Sequence, residues 1–128
     1  MGIRVAVTRG VSSNIGECEL THLEREPINL DLARAQHANY ERVLADLGCC
    51  IERLVEEPEF PDSVFVEDIA VVLDEVAIIT RPGALSRRGE RSSIEAALQP
   101  HRPIQRIAAP AILDGGDAVS YTHLRAHE

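Results

Sequence analysis

The apolar runs of this chain are all of strand length. Residues 69–73 (Ile-Ala-Val-Val-Leu) and 76–79 (Val-Ala-Ile-Ile) are typical, and each is bounded by charged or turn-forming residues. Segments this short are too brief to cross a bilayer as a helix. Only 3% of the residues are aromatic and none is Trp, so any core must be assembled from Val, Ile, Leu and Ala. With 128 residues, 45% hydrophobic and 27% charged, the composition is that of one globular domain or a piece of one.

Charge excludes some partners. Thirteen basic against twenty-one acidic residues leave a net charge of -8. A nucleic-acid binder needs clustered cations to release counterions, and the one dense basic cluster (Arg87, Arg88, Arg91) is too short to reverse that balance. The start Met-Gly-Ile-Arg-Val-Ala-Val lacks the pattern of a secretory signal. The three cysteines, Cys18, Cys49 and Cys50, show neither a disulfide framework nor metal-ligand spacing. A reducing cytoplasm is the expected home, with no membrane association and no metal site at the cysteines.

The local patterns predict the order β, loop, α, β, β, β, α, β, β. Strands are expected over residues 3–8, 50–54, 64–73, 76–80 and 104–107, with a last one in 110–119. Asp31 is positioned to cap a helix whose stripe runs through Ala33, Tyr40, Val43, Leu44 and Leu47, with Gly48 as its stop. Asp74-Glu75 reads as a hairpin turn, and Ser92 or Ser93 as the cap of a second helix ending at Leu98. The long polar stretch 9–27 is a loop of the kind that binds or covers something. The order suits mixed sheets carrying helices, in units of ββαβ type, although no close internal repeat is visible.

The informative stretch is Phe60-Pro61-Asp62-Ser63-Val64-Phe65-Val66-Glu67-Asp68. If it is extended, Asp62 and Asp68 share a face and Glu67 points the other way. Glu67-Asp68 also interrupts a β-rich run. Charges so placed are costly to bury unless a cation pairs with them, and a planar guanidinium matches carboxylate geometry best. Solvated charges at a sheet edge are the plainer alternative. Two further segments carry weaker signals. Arg81-Pro82-Gly83-Ala84-Leu85-Ser86-Arg87-Arg88 could grip a carboxylate or simply be a basic turn. In Leu113-Asp114-Gly115-Gly116-Asp117 the glycines permit close backbone approach, yet Asp-Gly is also a common turn.

Together PDSVFVED, ITRPG-x-x-SRR and LDGGD, with the helix segment Leu32-Ala33-Arg34-Ala35-Gln36-His37, resemble the dimethylarginine dimethylaminohydrolase family of guanidino-group-modifying enzymes. The resemblance runs from about Val5 to Asp117. It implies a truncated α/β fold, part of a pentein-type α/β propeller of ββαβ units, with residues 1–117 as the N-terminal part of one catalytic domain. It implies hydrolysis of N-methylated arginine to citrulline and a methylamine through a Cys-thiouronium intermediate, without a cofactor. Carried over by position, Asp68 would hold the guanidinium, Asp62 the α-ammonium and Arg87 the α-carboxylate of this small-molecule substrate. Leu20 would belong to a lid, Phe65 and Glu67 would line the pocket, and Asp114 would orient the catalytic His.

The family's nucleophilic Cys and catalytic His come later than residue 117, and Cys18, Cys49, Cys50, His22, His37 and His101 match neither. The chain is therefore expected to hold the recognition half of the site and to be inactive alone. A homo-oligomer is left open for a full-length form. Residues 118–128 depart from the family pattern and read as a foreign tail; a metal pair at His123 and His127 is the weaker reading. The alternatives are an arginine deiminase or other amidine hydrolase, and a non-enzymatic module that binds arginine-like cations.

Overall fold

The computed structural model describes residues 3–18 and 27–119. The predictions for Leu20, His22, His123 and His127, and most of the 118–128 tail, lie outside the described residues.

Strand β1 (Arg4–Arg9) is rich in β-branched residues and pairs in parallel with β2 (Cys49–Leu54), from Arg4 opposite Cys49 to Arg9 opposite Leu54. Parallel neighbours need a crossover, and α1 (Leu30–Asp46) supplies it. The cap is Asn29, not the expected Asp31: its side chain accepts the Leu32 N–H, while Asp31 sits in the first turn, where its charge suits the helix dipole. Gly48 ends the segment with φ of 97°, a conformation that side-chain-bearing residues resist.

The less exposed face of α1 runs through Leu30, Ala33, His37, Glu41 and Leu44. The expected apolar stripe is thus only partly inward, and Tyr40, Val43 and Leu47 are exposed. Glu41, the buried residue of the helix, accepts the Thr8 hydroxyl from β1 at 2.5 Å and the Arg53 guanidinium from β2 at 2.6 and 3.0 Å. Burial opposes its charge, but Arg53 and Thr8 outweigh burial and hold the carboxyl below its ordinary range.

The second unit is a three-stranded mixed sheet. Strands β3 (Ala70–Val72) and β4 (Ala77–Ile79) form the predicted antiparallel hairpin, and β5 (Ile104–Arg106) joins β4 in parallel. The β4–β5 crossover contains a 3-10 segment (Leu85–Glu90) running directly into α2 (Arg91–Leu98). Because the chain enters α2 already coiled, neither Ser92 nor Ser93 caps it; Ser93 instead accepts from Arg9 and donates to Glu57. The core is Ile69, Ala77, Ile79, Ile94 and Leu98, with Val7 and Leu54 of the first sheet packed against it.

Two expected strands are corrected. Residues 64–73 are extended only over Ala70–Val72; before that the backbone turns repeatedly, each N–H reaching the carbonyl three residues back (Ser63 to Phe60, Phe65 to Asp62, Asp68 to Phe65, Ile69 to Val66). No strand forms over the described part of 110–119, where Gly115–Asp117 is a 3-10 turn. The α/β class stands.

Candidate functional site

The acidic segment becomes a folded knuckle. Asp62 lies in a turn and is buried, Phe65 is 42% exposed, and Val66–Asp68 forms a 3-10 turn just before β3. The extended-chain argument that placed Asp62 and Asp68 on one face therefore does not apply. They are brought together instead by Arg87, nineteen residues beyond Asp68 in the chain.

The Arg87 guanidinium is buried and surrounded by acceptors. Nη1 donates to Asp68 Oδ2 at 2.7 Å, and Nη2 to the carbonyl oxygens of Asp62 (3.0 Å) and Phe65 (3.2 Å). Nε and Nη2 also form a fork with the two Glu90 oxygens, each at 2.9 Å. Arg87 and Glu90 are three apart on a 3-10 segment, where residues i and i+3 eclipse. The two flat groups meet in the bidentate geometry that guanidinium and carboxylate share.

Burial works against the charge on Arg87, but Glu90 and Asp68 overcome it and the guanidinium is held above its ordinary range. Burial pushes the Glu90 carboxyl up; Arg87 pulls it back, and the charges of Asp62 and Glu57 push it further up.

Asp68 is tied on both oxygens. Oδ1 accepts the Gly116 N–H at 3.1 Å, and the Asp68 carbonyl accepts the Thr80 hydroxyl at 2.8 Å. The glycines of Leu113-Asp114-Gly115-Gly116-Asp117 are used for close approach, as their spacing suggested. A Cβ at Gly115 would collide with the Glu67 carbonyl, and one at Gly116 with Asp68 Oδ1. Asp114 is half-buried beside this contact, with its carbonyl accepting the Asp117 N–H at 2.9 Å.

Glu67 is exposed. It lines a cleft of about 690 Å³ between the two sheets, with Val5, Val7, Val66, Ala70 and Leu98 among the walls. The structure thus joins Asp62, Phe65, Asp68 and Arg87 and places Glu67 and Asp114 at the margins. Sequence reasoning missed Glu90, Thr80 and the Gly116 N–H. Only Glu90 left a local signal, an acid three residues after an arginine. Among the described residues no group of three His, Cys, Asp or Glu side chains is arranged for a metal ion, and no helix is long and apolar enough to cross a membrane.

No family model matches the chain. It is 40% identical over 122 residues to N(G),N(G)-dimethylarginine dimethylaminohydrolase of Streptomyces coelicolor, an alignment that covers 93% of this chain and 46% of the relative. The protein of the same name from Pseudomonas aeruginosa is 46% identical over 91 residues, covering 68% of this chain and 36% of the relative. A solved structure of a mutant Pseudomonas aeruginosa dimethylarginine dimethylaminohydrolase complexed with citrulline superposes with a TM-score of 0.88 at 35% identity, over 95% of this chain and 48% of that one. The chain spans less than half the length of these curated relatives. Its fold is the α/β pentein fold of those neighbours, and over 93% of its length the chain is similar to part of the dimethylarginine dimethylaminohydrolase family.

Proposed function

We propose that this chain carries the substrate-recognition part of an enzyme that hydrolyses N-methylated arginine to citrulline and a methylamine. The observation that carries the reading is the convergence of the Asp68 carboxylate and the backbone carbonyls of Asp62 and Phe65 on a single guanidinium, that of Arg87. The Arg87 guanidinium beside Asp68 supports a recognition surface suited to flat cations. The Asp68 side chain keeps 26% of its surface open, next to the exposed Phe65 and Glu67.

In this proposal Asp68 orients the substrate guanidinium, Asp62 attracts its α-ammonium, and Leu20, Phe65 and Glu67 border it. Arg87 has five N–H bonds; Glu90, Asp68 and the carbonyls of Asp62 and Phe65 engage Nε, Nη2 and one side of Nη1, and the remaining Nη1 hydrogen is what it offers an α-carboxylate. Asp114 orients a histidine supplied by sequence outside this stretch, which also supplies the nucleophilic Cys. The thiolate attacks the guanidinium carbon, the histidine gives its proton to the departing nitrogen, and the C–N bond breaks to release the methylamine. Water then adds to the thiouronium carbon, the histidine takes its proton, and the C–S bond breaks to give citrulline and free thiolate. Residues 1–117 form part of a single catalytic domain, with blades of a propeller as its larger plan. The same reading sets the enzyme in a reducing, cytoplasmic compartment.

The test is turnover by a full-length protein carrying this sequence. Citrulline released from dimethylarginine, and lost in Asp68→Ala, supports the reading. Turnover of unmethylated arginine alone would move the assignment to a deiminase.

A further inference from the structure

Behind the Asp68 knuckle the chain builds a second charged feature. Residues Ile79, Thr80, Arg88, Arg91, Ser92, Glu95, Arg106 and Ile107 enclose a recess of about 380 Å³. Arg106 is neutralised there by a fork onto Glu95 at 2.6 and 2.7 Å. Arg88 and Arg91, and Arg81 close by, form no ion pair among the described residues. The two lining arginines are nevertheless held in place through Nε: Arg88 donates to the Pro82 carbonyl and Arg91 to the Arg88 carbonyl, each at 2.8 Å. Their Nη groups remain for a ligand. Partial burial first, then the charges of Arg81 and Arg91, hold the Arg88 guanidinium below its ordinary range. All thirteen basic residues of the chain are Arg, so this charge cannot be relieved by deprotonation near neutral pH.

A cluster of cations fixed without counter-charges, in a protein of net charge -8, is a place for an anion. A carboxylate has two oxygens in one plane and a single charge, which one fork satisfies. A phosphate group has oxygens directed tetrahedrally and up to two charges, so it can meet two forks arriving from different elements. We infer that the recess formed by Arg88 and Arg91, with Thr80 and Ser92 on its wall, binds a phosphate oxyanion, either free or as a phosphomonoester. This site borders the recognition knuckle through Thr80, whose hydroxyl donates to the Asp68 carbonyl, and does not depend on the proposed activity.

Calorimetric titration of the chain with inorganic phosphate and with methyl phosphate, at constant ionic strength, tests it. Saturable binding is expected for both, and the tighter of the two identifies whether the free anion or the monoester is favoured. Arg88→Gln and Arg91→Gln, each checked for folding by circular dichroism, should weaken it about tenfold apiece. Arg34→Gln, which removes a distant arginine, should leave it unchanged. Absence of saturable heat in the folded chain, an equal response to chloride, or undiminished binding in both folded variants would overturn the inference.

Discussion

Replacing Arg87 by Met should be the most damaging single change in this chain. The substitution keeps much of the aliphatic stem but removes the cation that faces Asp68 and Glu90. Glu90 is left with a side chain 2% exposed and no counter-charge, and the carbonyls of Asp62 and Phe65 lose a donor. Breaking a buried pair from one side costs about 3–5 kcal/mol, because a charge stays desolvated without compensation. That is a large fraction of the stability of a small domain. The loss should also depend on pH. Glu90 is already pushed up by burial, and without Arg87 nothing pulls it back. A raised carboxyl contributes stability in its protonated form, present at low pH and lost as pH rises through the folded-state value. The deficit of Arg87→Met should thus be greatest near neutrality and shrink in mild acid. Urea unfolding followed by circular dichroism across that range measures it. A loss below about 1 kcal/mol at neutral pH, or one independent of pH, would refute the claim that a desolvated Glu90 is what the arginine compensates.

Three further outcomes are expected. Stability from Glu41, whose folded-state pKa lies below the usual 4.5, should be complete above that value and fall away as pH drops through the lower one; Glu41→Gln should remove this part of the acid slope in thermal melts. Gly116→Ala drives a methyl group into Asp68 Oδ1 and should cost about 1–3 kcal/mol by denaturant titration, with nothing comparable at Gly16, where a methyl meets open space. Asn29→Ala removes the acceptor for the Leu32 N–H and should cost about 1 kcal/mol in the same assay.

The sequence revealed those features that depend on neighbours along the chain. The β-branched run of β1, the Asp74-Glu75 hairpin turn and the Gly48 stop are all local, and all are present. The acidic knuckle was misread as extended because its shape is imposed from far away. Arg87 and Gly116 pull on Asp68 across 19 and 48 residues, and no periodicity encodes such distances. A planar guanidinium was the expected partner for Asp68, expected from a ligand; within the chain that partner is Arg87, too far along the sequence for a local pattern to reveal. The α1 stripe failed for a related reason. A glutamate satisfied by Thr8 and Arg53 takes an inward position that hydrophobic counting would give to Tyr40 or Val43. Glu90 was overlooked because acids in arginine-rich turns are usually solvated.

The uneven division of apolar packing has a consequence for how the chain opens. Five buried hydrophobic residues hold the second unit together, whereas Val7 and Leu54 are the first unit's contribution to that cluster, and its helix is moored through Glu41. Separating such a unit from its neighbour uncovers little oily surface, so it costs less than melting the whole. The amide protons of α1 should accordingly be traded for deuterium well before those of β4, and proteases should find the crossover helix first.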